Sequence, residues 1–305
     1  MSHERTLCPH ALRTTALQSN HMEDSRTSML KALQAECSAE AMAWLIQTCD
    51  ALAGAGAPER LDHASAQCGR RLGRGAIAAD QGPIATRCGP LSIAGRPVAE
   101  LGRTCLIAAA AGAPDGSAQA LVGHYRGADE AERAAVVRAL AVIDAQGDSK
   151  PLALEAGRAN SQVLLGAVML GNPYPAAHYS EAEFDQMVLK ALFVGMPLAG
   201  VVGLAARAGP GLSRMCEDYY DERIAAGREA PADIWLALAP HASERGESLL
   251  LDNLTHPNPR HRFFAIVAAG ARAAQRPGLR DALRSRTASE TDPSCLEATA
   301  LALAH

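Results

Sequence analysis

The chain has 305 residues and a formal net charge of −4 at pH 7, with Ala, Leu and Gly abundant and aromatics only 4%. A pI near 6.2 argues against general nucleic-acid binding, which shows as a basic surface. Val and Ile are too sparse and scattered for a large sheet, whereas Ala and Leu are the strongest apolar helix formers, so composition predicts an all-α fold.

Residues 1–25 are polar, lack the apolar core of a secretory signal and read as a flexible leader, in which Met22 offers an alternative start. Residues 26–305 read as a single helical-repeat domain. Met29, Leu33, Met42, Leu45, Ile46 and Leu52 place one or two amphipathic helices between Ser28 and Leu52, and Gly54 to Pro58 breaks the chain. The basic run Arg70-Arg71-Leu72-Gly73-Arg74 lies among glycines and reads as a solvated loop. Between 69 and 97 the Gly and Pro content leaves either a short hairpin around Leu91 to Gly95 or a plain loop. Helix is predicted from Pro97 to Ala111 and from Asp129 to Ile143. The longest apolar run, Leu106 to Ala111, is far short of the roughly twenty residues of a membrane span, so no integral membrane protein is expected.

From about residue 150 the pattern becomes one of helix pairs. One helix ends near Leu152 to Ala156, Asn160-Ser161 caps the next from Gln162 to Leu170, and Asn172-Pro173-Tyr174-Pro175 reads as non-helical. Ser180 to Glu183 is a capping box that starts a helix running to Val194, closed by Gly195 and Pro197. Asn258-Pro259 and Asp292-Pro293 are two further helix starts, each a capping residue followed by Pro, spaced as in helix-pair repeats. The predicted architecture is therefore stacked antiparallel helix pairs, either a HEAT-like α-solenoid or an irregular helical bundle. The last helix has little beyond it to cover its apolar face. The eight cysteines form no CxxC pair and several lie in apolar stretches, as small buried hydrophobes of a reducing cytoplasm do.

The segment 157–228 is the most distinctive. Gly157-Arg158-Ala159-Asn160-Ser161, Asn172-Pro173-Tyr174-Pro175 and the run from Phe184 to Phe193 with Gln186-Met187-Val188-Leu189-Lys190-Ala191 at its centre resemble the EboA family, as do Asp218-Tyr219, Glu222-Arg223 and Ala225-Ala226-Gly227-Arg228. The resemblance is close over about a quarter of the chain and centres on residues 150–240. It implies an accessory protein of bacterial and algal gene clusters that also encode a UbiA-like prenyltransferase, a TatD-type hydrolase, a dehydroquinate-synthase-like protein and an isomerase-like TIM barrel. Such clusters make or move a secondary metabolite. The family lends no catalytic residues. This chain has Phe184-Asp185 where Trp-Asn is the commoner pair, and Asp221 where His is commoner.

On a helical wheel, Phe184, Met187, Val188, Leu189, Ala191, Leu192, Phe193 and Val194 cover most of the helix from 181 to 194, which predicts burial nearly all round. Glu183, Gln186 and Lys190 form its one polar stripe, facing either solvent or a cleft. Asp185 falls inside the apolar arc, so its carboxylate needs a partner, with Arg158, Arg207 and Arg214 as candidates, or a raised pKa. Asn160 and Asn172 suit the two ends of the helix between them, and Arg158 is a candidate anion clamp. His178, Glu181 and Asp185 lack the second His of a metal site, and no HExxH, Cys/His cluster, P-loop, GxSxG or GxGxxG string points to a metal or cofactor. Glu217, Asp218, Asp221 and Glu222 with Arg214 and Arg223 read as a solvated, salt-bridged face, and His256, Arg260, His261 and Arg262 as a surface basic cluster.

Two functions compete. One is a non-catalytic helical scaffold that binds another protein of its cluster or a metabolite. The other is an enzyme of unrecognised type acting on a small polar metabolite in a cleft near residues 158–190. Peripheral membrane association finds no basic amphipathic helix to support it. The candidate ligand-binding set is Arg158, Asn160, Asn172, Tyr174, His178, Asp185, Gln186 and Lys190, with no metal and no cofactor expected.

Overall fold

The computed structural model describes residues 9–114, 116 and 118–304. Helix accounts for 70% of the chain, about twice the share usual in globular proteins, and the fold is all-α. The chain forms two compact units, Met1–Tyr179 and Ser180–His305.

In the first unit, α1 (Pro9–Glu36), α2 (Ala39–Leu52) and α3 (Ala57–Leu72) precede an antiparallel hairpin of β1 (Ile84–Thr86) and β2 (Gly89–Leu91), in which Ile84 pairs with Leu91. Then come α4 (Val98–Ala111), α5 (Ala118–Gly127), α6 (Glu130–Ile143), α7 (Lys150–Arg158), α8 (Gln162–Met169) and α9 (Tyr174–His178). Residues 9–25, within the stretch read as a leader, are part of α1, while 1–8 lie outside the described residues.

Three local readings change. The hairpin lies just before the Leu91 to Gly95 stretch, with Leu91 as its last residue. Arg70 and Arg71 stand in the last turn of α3, where cations complement the helix dipole, and not in a loop. Ala57, Leu61, Ala64, Cys68 and Leu72 are buried at helical spacing and hold that helix to the core. Tyr174 and Pro175 begin a helical turn, because a Pro in the first turn loses no intrahelical hydrogen bond.

α4 is the centre of this unit and packs against α1, α2, α3 and α6. Cys105, Leu106 and Ile107 are fully buried there, as are Ala134, Ala135 and Ala139 of α6, against which α4 packs. Burying each Leu or Ile contributes about 1.5–3 kcal/mol. Asp129 and Glu132 form a reciprocal capping box that starts α6.

The second unit holds α10 (Glu181–Val194), α11 (Leu204–Arg207), α12 (Pro210–Ala225), α13 (Trp235–Leu238), α14 (Glu244–Asn253), α15 (Pro259–Arg272), α16 (Pro277–Thr287) and α17 (Pro293–Ala304). Fully buried Trp235 anchors α13, which packs on α11, α12 and α15. The Ser180–Glu183 capping box opens α10. Burial all round α10 does not hold: Phe184, Val188, Ala191 and Leu192 are buried, but Phe193 is 76% exposed, because only one side of the helix meets a packed neighbour. Asn258 Oδ1 accepts the Arg260 N–H at 3.0 Å, and Asp292 Oδ1 accepts those of Ser294 and Cys295 at 3.0 and 3.1 Å, so both Pro-started helices are capped. α15 and α17 touch where Gly270 meets Ala302; a Cβ at Gly270 would lie 2.5 Å from the Ala302 Cβ, so only glycine fits.

The acidic and basic surface readings are corrected in part. Glu217 is buried and accepts hydrogen bonds from the Ser243 N–H at 2.8 Å and hydroxyl at 2.6 Å, while Asp218, Asp221 and Glu222 are exposed. His261 and Arg262 are buried as well, since Glu290 meets the guanidinium in the core of the unit. Among the described residues no helix is long and apolar enough to cross a membrane.

Candidate functional site

The chemistry-bearing residues of the first unit gather where α6 ends. Asp144 closes that helix, and the turn after it depends on Gly147 at φ +80°. That turn points backbone donors at the carboxylate: Oδ1 accepts from the N–H groups of Gly147 (2.9 Å) and Asp148 (3.1 Å), and Oδ2 from Ser149 (2.7 Å). The Tyr174 hydroxyl donates to Oδ2 at 2.6 Å. Burial alone would raise this carboxyl, but the hydroxyl and the three N–H groups outweigh it and hold the pKa below the ordinary Asp range.

Tyr174 is fully buried, and its ring centroid lies 4.6 Å from that of His178. The imidazole covers Gly147, and its Nε2 stands 3.3 Å from the Cys88 Sγ. Burial, reinforced by the Asp144 charge and opposed by Arg87, pushes the Cys88 thiol up to about 11. The thiol therefore keeps its proton near neutrality, and the Cys–His contact is not a thiolate nucleophile at rest.

Asn172 is buried and fixes the other side of this cluster. Its Nδ2 donates to the Ala167 carbonyl at 2.9 Å, and its Oδ1 accepts the Tyr174 N–H at 3.0 Å. The end of α8 is closed by two arginines that sequence reasoning missed. Arg96 and Arg138 both donate to the Leu170 carbonyl, at 2.8 and 3.0 Å, and Arg138 also donates to Gly166 at 3.0 Å. Arg138 Nε lies 2.8 Å from Glu100 Oε1. Burial pulls the Arg138 pKa down to about 9 against the pull of Glu100, leaving it charged at neutral pH. Its position inside the apolar run from Ala134 to Ile143 was the available signal.

Asn172, Tyr174 and His178 are thus brought together. Arg158 and Asn160 are exposed at the junction of α7 and α8, where Ser161 is the capping residue, accepting the Leu164 N–H at 3.1 Å and bonding Glu130. In the second unit, Asp185 is 4% exposed, Gln186 is exposed and Lys190 half-buried, so the three share a helix but not a face. Asp185 Oδ1 finds no hydrogen-bond donor. Burial raises this carboxyl, Glu181 raises it further, and Arg207 is the candidate partner that opposes the shift. The Arg207 guanidinium also lies 4.7 Å from the centre of the Phe184 ring.

The second unit also carries a groove of about 660 Å³ between α15 and α17, walled by Phe263, Val267 and Leu301 over a floor of Gly270, Ala298 and Ala302. A second hollow of about 290 Å³ adjoins it at the start of both helices, lined by Pro259, Arg260, Phe263, Asp292 and Ser294. Neither was read from the sequence beyond the uncovered face of the last helix.

A family model described as metabolite traffic protein EboA matches residues 26–239, the greater part of the chain. No curated protein and no solved structure matches it. The match takes in the cluster around Asp144 and Tyr174 and stops short of α15 and α17. The chain belongs to the EboA family.

Proposed function

We propose that this EboA-family chain is a non-catalytic accessory protein of metabolite traffic, a helical scaffold that holds a partner protein of its gene cluster or a metabolite. One observation carries the reading: the polar residues clustered in the matched segment are engaged in holding helices together. Asp144 is met by four donors, Asn172 bonds three backbone groups, and the thiol beside His178 keeps its proton. Groups engaged in this way stabilise a shape by joining one helix end to the next. Exposed Arg158, Asn160 and Gln186, with half-buried Lys190, are proposed contact points for the partner. Repeated helix pairs and a reducing cytoplasm, which the cysteines left unbridged among the described residues support, complete the picture.

The Cys88–His178 contact favours a second reading, an enzyme in which the imidazole takes the thiol proton once substrate is bound. Metabolite output in the native host, measured beside thermal melts of Tyr174→Phe, Cys88→Ser and Arg158→Met, separates the two. For a scaffold, the output of Tyr174→Phe and Cys88→Ser follows the amount of folded protein, whereas Arg158→Met, at an exposed contact point, lowers output without lowering stability. A stable Cys88→Ser protein with no output sinks the scaffold reading.

A further inference from the structure

We propose that the two stacked histidines at the start of α15, His256 and His261, form an acid-sensitive latch: neutral rings hold the turn that leads into the helix, and acid releases it. Both rings lie past the residues matched by the family, and the latch does not depend on the scaffold reading.

The closed form requires a neutral His256. Its Nδ1 accepts the Asn258 N–H at 3.1 Å, and an imidazolium, which carries a hydrogen on both nitrogens, has no lone pair with which to do so. Asn258 is in turn the capping residue of α15, its Oδ1 accepting the Arg260 N–H at 3.0 Å. A proton on His256 therefore breaks the bond that fixes the cap. His261 lies over this ring, with the centroids 4.2 Å apart and the planes 18° from parallel, so two charged rings would repel at contact distance.

The surroundings oppose a second charge as well. His261 is buried in the first turn of α15, the positive end of the helix dipole, where Arg260 and Arg262 flank it and no acid stands. Arg262 bonds Glu290 and the His256 and Pro257 carbonyls, which ties the same turn to the core of the unit. Two acids face His261 from the segment before α13. Glu229 Oε2 stands 3.7 Å from its Nε2 but is largely exposed, and buried Asp233 already accepts the Leu198 N–H at 2.7 Å. Burial foremost, then His256 and Arg260, outweigh Glu229 and Asp233 and keep the His261 pKa below the ordinary His value. A folded pKa below the unfolded one makes the latch's contribution complete above the ordinary His value, and it is lost as pH falls from there toward the folded one.

Hydrogen–deuterium exchange of the full chain, corrected for the intrinsic rate at each pH, reads the latch directly. Between about pH 7.5 and about pH 5.5, on either side of the ordinary His value, the peptide covering 255–262 should lose protection roughly fivefold or more, the equivalent of one net hydrogen bond. The α12 peptide, which holds no His, should stay as it was. His256→Asn offers an uncharged acceptor near the Nδ1 position, so its turn should stay closed at both pH values. The proposal is overturned if the 255–262 peptide keeps its protection at the lower pH, if α12 loses protection along with it, or if His256→Asn loses as much as wild type. Should His256→Asn fail to fold, Glu229→Gln, at an exposed position, decides. By removing the acid that favours a charged His261 it should deepen the loss at the lower pH, and an unchanged or smaller loss overturns the latch.

Discussion

The Tyr174 hydroxyl donates a 2.6 Å hydrogen bond to Asp144 Oδ2 across thirty positions of sequence and ties α9 to the end of α6. Replacing Tyr174 by Phe removes the bond but leaves Asp144 its three backbone donors, so the carboxylate is not orphaned. A hydrogen bond to a charged group contributes about 1.5–3 kcal/mol, and the lower end is expected in urea denaturation at neutral pH. The pH dependence has a fixed sign. The Asp144 pKa is depressed in the folded state, so its contribution is complete above the ordinary Asp value and is lost as pH falls through the folded one. The difference between wild type and Tyr174→Phe should shrink in acid; a constant difference would mean that the bond does not act on the carboxylate.

Gly147 and His178 should behave as one unit. Gly147 holds φ +80°, and a Cβ there would lie 2.6 Å from the His178 Nδ1. Gly147→Ala therefore faces about 1–2 kcal/mol of left-handed strain plus the displacement of the imidazole. Adding His178→Ala relieves the second part only. A double-mutant cycle on thermal or urea unfolding should show the two changes costing less together than the sum of each alone. Strict additivity would mean that the ring is free to move aside.

What was legible in the sequence was local. The Ser180–Glu183 box, Asn258 before Pro259 and Asp292 before Pro293 are legible because a cap is formed by a side chain and a backbone N–H two or three positions away. α3 was missed because the glycines at its ends outweigh a core-facing row of small residues, Ala57, Ala64 and Cys68 among them. In the site, Asn172 and Tyr174 stood out as an unusual string, but their work depends on Asp144, and His178 meets Cys88 ninety positions away. No periodicity carries such distances. Arg262 was read as surface for the same reason: Glu290, which buries it, lies a whole helix further along.

Asp185→Asn should not weaken the protein. The Asp185 carboxyl is 4% exposed, has one oxygen without a donor and titrates above the ordinary Asp range, chiefly through burial. A raised folded pKa has the opposite sign to that of Asp144. Stability falls as pH rises through the window between the ordinary value and the folded one. Asn has nearly the same shape and no charge. The variant should melt at or above wild type at about pH 7, with the gap closing as pH falls toward the ordinary Asp value. A variant less stable than wild type at every pH would show that Arg207 needs the charge.

The last expectation concerns the clamp that sets the distance between α15 and α17. Arg262 meets Glu290 with two hydrogen bonds, Nε to Oε2 at 2.8 Å and a terminal nitrogen to Oε1 at 2.7 Å, and Arg286 adds a third at 3.2 Å. These bonds, Arg262 foremost, hold the Glu290 pKa well below the usual carboxylate range. Glu290 Oε1 also accepts the N–H groups of Thr291 and Asp292, so the carboxylate fixes the approach to α17 as well as its own partner. Removing one member of a buried pair leaves an uncompensated charge, and Glu290→Leu alone should cost about 3–5 kcal/mol. Arg262→Met with Glu290→Leu removes both charges and should recover much of that loss. Recovery stops short of wild type because the Thr291 and Asp292 N–H groups lose their acceptor. Acid separates the variants further. Wild type holds the clamp's contribution above the ordinary Glu value and loses it as pH falls toward the depressed one, whereas the double variant has nothing there to lose. Urea unfolding of the three proteins at neutral and acid pH reads all of this, and a double variant no more stable than Glu290→Leu would show that Arg262 holds α15 by its contacts with the His256 and Pro257 carbonyls instead.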